Sequence, residues 1–143
     1  MSSIRNKYFD LSIPDDWTDR SVLVWSAPPG SGTMPPNVAV AFDALQPGEP
    51  LVAYVNRQVD SLKASLADWQ LISQVQSNLK GRDSYEMVFT WSTPPGKMRQ
   101  RQIYCPLSGQ QVASIACTAS DPEFADFDRA YFQKVLGSIV FRG

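Results

Sequence analysis

The chain has 143 residues, the size of one ordinary domain, of which 43% are hydrophobic and 19% charged. Thirteen Lys and Arg stand against 14 Asp and Glu for a formal charge of -1, so no basic field exists to hold a nucleic acid. Histidine is absent, which removes the commonest general base and the commonest nitrogen ligand of zinc or copper. This composition favours binding over catalysis, and no cofactor is expected. Residues 1–7 are polar, and no run of about 18 apolar residues is present to span a bilayer. The expectation is a cytoplasmic protein that does not insert into a membrane.

No linker, repeat or long charge run divides the sequence, so 1–143 reads as a single domain. Residues 8–13 alternate, with Phe9, Leu11 and Ile13 on one face, and Pro14 closes this first strand. Asp15 and Asp16 turn the chain toward Trp17, and a second strand is expected at 21–26. The stretch 27–36, with Pro28, Pro29, Gly30, Gly32, Pro35 and Pro36, cannot be regular and reads as a surface loop. A third strand follows at 37–42. After a turn at 46–50 the period changes from two to 3.6. Val52, Val55, Val59, Leu62 and Leu66 then form the stripe of an amphipathic helix lying on a sheet, ended by Asp68 and Trp69. Four more strands are expected at 70–79, 84–92, 97–105 and 110–119, joined by short hairpin connections. Asp121 or Ser120 caps a second helix with Pro122 in its first turn. Its buried face is Phe124, Phe127, Tyr131 and Val135, with Leu136 beside them. Gly137 stops it, and 138–141 closes the chain as a short strand. The order β-β-β-α-β-β-β-β-α-β gives an α+β fold, an antiparallel sheet with two helices packed on one face.

Two helices cover about one face of a sheet, which leaves the other to be explained. Ile103 and Cys105 alternate with Gln100, Gln102 and Tyr104. On the next strand Ala113, Ile115 and Cys117 alternate with Val112, Ser114, Ala116 and Thr118. One face is small and apolar, fit to lie beneath helices; the other mixes Gln, Ser and Thr with small apolar groups. On the second strand Leu23 and Trp25 alternate with Val22, Val24 and Ser26, so both faces carry apolar side chains. A sheet wetted on one side would normally show Lys, Glu and Arg there. Such a face suits either a covered second core or dimer contact, or a groove for an apolar segment that also offers hydrogen bonds. Gln58, three residues after Val55 and beside Leu51 at the edge of the helix stripe, is either a solvated residue or an amide reaching a ligand along the sheet. Its amide donates and accepts without a charge. It can therefore satisfy Ser, Thr or backbone groups of a hydrophobic helix without the desolvation cost of an ionised group.

Catalytic chemistry finds little support. Asp15, Asp16, Asp19, Asp60, Glu86 and Asp121 form no spaced pair with an acid–base or metal role; Asp15 and Asp16 read as turn residues and Asp121 as a cap. Glu123, Asp126 and Asp128 suit the N-terminal end of a helix dipole rather than a calcium site. Ser108-Gly109 is a hairpin turn, not a nucleophile elbow. Cys105 and Cys117 make no CxxC pair and read as reduced core thiols that the hairpin between them does not set opposite one another. Arg99 and Arg101 fall on the face opposite Gln100 and Gln102 or reach the sheet edge, with no role assigned.

The opening Phe9-x-Leu11-x-Ile13-Pro14-x-x-Trp17-x-Asp19-x-Ser21-Val22 resembles the start of DcrB-related domains. Within that group the chain most resembles the Eag chaperones, which accompany effectors of bacterial type VI secretion. The resemblance continues through the helix at 54–62, the Arg99-Gln100-Arg101-Gln102 strand and the ending Ser138-Ile139-Val140-Phe141, and so covers essentially the whole chain. It implies a homodimer of Mog1/PsbP-like domains, each presenting a concave sheet. That sheet would hold the N-terminal transmembrane helices of a cognate effector, shield them in the cytoplasm before export, and aid loading into the VgrG spike. The resemblance also implies that a branched aliphatic pair on the second strand, and glutamines on the first helix and a central strand, contact the bound helices. The matching positions are Val22, Val24, Gln58 and Gln102. The pair is Val rather than the Ile expected, which would make the groove shallower, and the 27–36 loop is longer than in a minimal member. The more distant Mog1-like role, an adaptor for a folded partner, would need no apolar groove.

Overall fold

The computed structural model describes residues 2–5, 8–18, 20–32 and 34–142; Asp19, one of the carboxylates named above, lies outside them. Strands β1 (Ser2–Arg5), β2 (Asp10–Ile13), β3 (Val22–Ser26) and β4 (Asn37–Ala44) precede helix α1 (Leu51–Ser65). Strands β5 (Gln70–Leu79), β6 (Arg82–Thr93), β7 (Gly96–Pro106) and β8 (Gln111–Ser120) follow it. The C-terminal helical stretch is composite: a 3-10 turn (Asp121–Glu123), α2 (Phe124–Phe127), a π-helical turn (Asp128–Phe132) and α3 (Gln133–Gly137). Six strands form one antiparallel sheet in the order β3-β4-β8-β7-β6-β5, while β1 and β2 pair with each other as a separate hairpin. The α+β class and the antiparallel sheet are as the sequence leads one to expect.

The helices, however, lie on opposite faces of the sheet rather than on one. The two-residue period of β6 and β7 decides this. Tyr85, Met87, Phe89 and Trp91 share a face with Gln100, Gln102 and Tyr104, and α1 covers part of it through Tyr54, Val55, Val59 and Leu62. Met87, Phe89 and Val55 are fully buried there. The other face carries Ile103, Cys105, Ile115 and Cys117, and Phe124, Phe132 and Leu136 of the C-terminal stretch close over it. Large side chains on β6 demand a cover of their own, and α1 supplies it. In α1 the stripe begins at Leu51 and Tyr54 rather than at Val52, which is exposed.

Three local expectations also give way. The 8–13 segment does not join the main sheet: β2 starts at Asp10 and pairs with β1, whose sequence Ser-Ser-Ile-Arg has no alternation to announce it. The π turn carries one residue more per turn than an α-helix, so the apolar face moves on by one position. Phe132 is buried where the 3.6 period points to Tyr131, and Tyr131 and Val135 are exposed, while Leu136, expected beside them, is buried. Finally, 138–141 is not a strand. Ile139 and Phe141 tuck against the core with Val140 pointing out, and the Arg82 guanidinium lies 4.3 Å from the Phe141 ring centre. The alternation is real, but the segment finds no ladder partner.

Arg101 fastens the C-terminal stretch to the sheet. Its Nε donates to Glu86 of β6 at 2.6 Å and its Nη1 to Asp128 of the π turn at 3.2 Å. Arg99 reaches Asp121 at 2.7 Å in the same way. The long loop is pinned nearby. Gly32 has φ +73°, and a Cβ there would stand 2.5 Å from Glu123 Oε2, whose other oxygen accepts from Ser120 Oγ at 2.6 Å.

Replacing Arg101 by Met keeps the apolar stem and strands two half-buried carboxylates, so urea unfolding should show a loss of about 1–3 kcal/mol. A loss under about 0.5 kcal/mol would class the cluster with ordinary surface pairs. Gly32→Ala combines a left-handed backbone with a collision and should cost about 1–2 kcal/mol. The same measurement checks it, and an unchanged midpoint would show that the loop is not held against Glu123.

Candidate functional site

The face that carries α1 is only partly covered by it. Between α1 and the edge strand β3 the antiparallel register sets out three rows of side chains. One runs Val24, Ala39, Ala116, Gln102 across β3, β4, β8 and β7. The second runs Val22, Ala41, Ser114, Tyr104, and the third Ser26, Asn37, Thr118, Gln100. Val22 and Val24 are 64% and 59% exposed, so the far rim is solvent-facing apolar surface. The floor is Ala39, Ala41, Ser114 and Ala116. With adjacent strands about 4.8 Å apart, Val24 and Gln102 are separated by roughly 14 Å, room for one helix of about 10 Å diameter. These rows contain no charged side chain.

Helix α1 forms the near wall. The Tyr54 ring meets Tyr104 edge-on at 5.7 Å, and its hydroxyl donates to Asp43 Oδ2 of β4 at 2.9 Å. The opposite flank of α1 looks to β5, where Gln74 Nε2 donates to Asn56 Oδ1 at 3.1 Å. Gln58 stands one turn beyond Tyr54, on the flank that overlooks the open rows. The helix runs along β6, since Ala67 at its end accepts from Ser92 N at 2.9 Å, and this direction carries Gln58 from the level of Tyr104 toward that of Gln102. Gln58 is half-buried. The register thus sets Val22, Val24 and Gln102 on one face of the sheet, and the helical period sets Gln58 on the Tyr54 side of α1.

The polar floor is organised. The Tyr104 hydroxyl donates to Gln102 Oε1, Gln102 Nε2 donates to Gln100 Oε1, and Gln100 Nε2 donates to Thr118 Oγ1 at 2.8 Å. Burial first, and the neighbouring Tyr54 second, push the Tyr104 hydroxyl above the ordinary phenol range. Burial and then the Asp43 carboxylate do the same to Tyr54. Both therefore remain proton donors at neutral pH. Ala39, Ala41 and this ladder were not singled out from the sequence as site residues; the alternation of Ala39 and Ala41 with Val38, Val40 and Phe42 carries the signal for the floor.

Among the described residues no group of three or more His, Cys, Asp or Glu could hold a metal ion, and no helix is long and apolar enough to cross a membrane. Glu86, Asp121, Asp126 and Asp128 are engaged in ion pairs with arginines. Cys105 and Cys117 are free, buried thiols, and burial pushes Cys117 up to about 12.

The DcrB family profile matches residues 10–138. The chain belongs to the DcrB family. Over 95 residues it is 25% identical to Effector EagT6 of Pseudomonas aeruginosa, a match spanning 66% of this chain and 66% of that protein. A Pseudomonas aeruginosa protein of unknown function, PA94, has a similar structure, with a TM-score of 0.83 at 22% identity, covering 100% of this chain and 98% of that one. Mycobacterium tuberculosis LpqN, involved in cell envelope biogenesis, aligns with a TM-score of 0.62 at 19% identity, covering 91% and 80%. Cyanobacterial PsbP from Synechocystis sp. PCC 6803 aligns with a TM-score of 0.55 at 12% identity, covering 84% and 82%. The fold of this DcrB-family chain is therefore PsbP-like.

The buried thiol and phenols set an alkaline limit. Their folded pKa values lie above the unfolded ones, so their contribution is complete below the ordinary thiol and phenol values and is lost as pH rises past them. Stability should be level to about pH 8 and fall from about pH 9 toward 12, by up to about 1.4 kcal/mol per pH unit per group. Cys117→Ala should reduce the slope. Urea midpoints that do not change between pH 8 and pH 11 would contradict the burial of these groups.

Proposed function

We propose that this DcrB-family protein is a cytoplasmic chaperone for a type VI secretion effector and works by binding, without catalytic turnover. Its client is the N-terminal hydrophobic helices of a cognate effector. The trough shields them in water before export, and the complex aids loading of the effector into the VgrG spike. The observation that carries this reading is the row Val24, Ala39, Ala116, Gln102, an uncharged track one helix wide with an apolar rim and an amide on the floor. The similarity to Effector EagT6 supports the secretion setting.

Small floor residues let a helix backbone approach closely, as between helices in a bilayer. Val22 and Val24 replace lipid tails on one side of the client. Gln58 and Gln102 meet its hydroxyl, amide or backbone groups, and neither brings a charge that would have to be desolvated. A single trough takes a single helix, so a client with a pair of hydrophobic helices calls for two protomers; we place the protein as a homodimer on that ground.

Because Val22 and Val24 are exposed, Asp at both positions leaves the folded core alone. Each Val loses about 1.5–3 kcal/mol of apolar burial on client binding. Co-expression of Val22→Asp/Val24→Asp with the hydrophobic N-terminal segment of the cognate effector should therefore leave the effector insoluble and absent from the pull-down. The chaperone's own melting curve should move by no more than a few degrees. Capture equal to that by the wild-type chain would overturn the assignment of the client to this face.

A further inference from the structure

Gln102 does not act from the trough floor as a free amide. On β7 the side chains of Tyr104, Gln102 and Gln100 follow one another on one face, and a continuous chain of donors runs through them to Thr118. A glutamine amide can be turned either way, with its oxygen and its NH2 group exchanged. What selects one orientation is the group at the start of the chain. Tyr104 is 2% exposed, and its ring is held edge-on by Tyr54, whose own hydroxyl goes to Asp43. If the amides were reversed, Gln102 would point its NH2 group at Tyr104, and the buried phenol proton would lose the acceptor it now has. An orphaned buried donor costs more than a satisfied one contributes. At the other end, Thr118 is also buried and its oxygen takes the last proton. Each link polarises the next, so the order is cooperative.

We propose that Tyr104, Gln100 and Thr118 are positioning residues which fix the polarity of the Gln102 amide, so that one N–H and one carbonyl lone pair face the trough at set places. The inference rests on the trough reading above and deepens it. An apolar helix bearing a single amide or hydroxyl side chain level with Gln102 meets a donor and an acceptor already oriented. A wholly apolar helix leaves both without partners and out of reach of water. The trough therefore ranks apolar helices by one polar group.

The test uses two synthetic helical peptides of about 20 residues, Leu/Ala-rich with Lys at both ends. They are identical except that one carries Asn at its centre and the other Leu. The readout is the ratio of their Kd values for the full chain. The wild-type chain should favour the Asn peptide about tenfold, as one well-placed buried hydrogen bond gives. Tyr104→Phe keeps the ring and removes the proton, and should bring the ratio to within about twofold. Thr118→Val should lower the ratio from the other end of the chain, and Thr118→Ser should restore it. This pair serves equally if Tyr104→Phe does not fold. A wild-type ratio near one, or a ratio that stays near tenfold in Tyr104→Phe or Thr118→Val, overturns the positioning role while leaving the trough reading intact. Failure of the wild-type chain to bind either peptide overturns both.

Discussion

Alternation along β7 is the constraint on which the two halves of the molecule depend. Tyr104 sends its ring up beneath Tyr54 of α1, while Arg101, three residues earlier, sends its guanidinium down to Asp128 of the π turn. A central strand must satisfy two covers of different chemistry at once. The side under α1 is held by aromatic contact and apolar burial, which tolerate sliding. The other is held by charge-assisted hydrogen bonds with fixed geometry as well as by its core. A shift of one residue in the β7 register would exchange glutamines for arginines on the open rows and put two cations where the trough now has amides. The register that builds the core therefore also keeps charge out of the trough.

This separation explains where the chain spends its modest stock of charge. Arg99 with Asp121, Arg101 with Glu86 and Asp128, and Arg129 with Asp126 sit on the far face, while Arg57, on α1 and 5.1 Å over the Tyr54 ring, is paired with Glu49 of the preceding turn. None stands on the three rows between β3 and β7. Asp43, at the end of β4 beyond Ala41, is turned to the Tyr54 hydroxyl and helps hold the wall of the trough.

Much of this was legible in the sequence because it rests on period alone. The two-residue alternation at Val22 and Val24, and at Gln100 and Gln102, assigns each pair to one face without knowledge of its neighbours. What the period could not give is which strands lie side by side. Ala39 and Ala41 become a floor only when β4 is set between β3 and β8. Placing both helices on one face followed from the small apolar side of β7 and β8; the large residues Met87 and Phe89 on β6, read with the same alternation, argue for a helix on the other side. The C-terminal stretch failed for a different reason. A π turn adds a residue that no 3.6-residue template contains, and it moves burial from Tyr131 to Phe132 and turns Val135 outward while Leu136 stays inside. Residues 138–141 alternate as a strand does, yet a strand needs an edge to pair with, and this segment lies across the core instead.

The dimensions of the trough bear on how such a surface could hide a membrane-crossing segment. Three rows at two-residue spacing extend roughly 13 Å along the strands. A helix rising 1.5 Å per residue lays roughly nine residues on that length, fewer than half of the about 20 needed to cross a bilayer. One protomer thus covers part of one side of one helix, and its exposed Val22 and Val24 mark where cover ends rather than where it is complete. Shielding in water requires a second surface facing the first. The edge strand β3 would suit such a surface, because among the described residues its outer edge pairs with no strand and both of its faces are apolar, Val22 and Val24 on the trough side and Leu23 and Trp25 on the other. A strand with these properties is a liability in a lone monomer. On the proposed function, a client and a second copy would close over it together, which would tie assembly of the shield to the presence of what it shields.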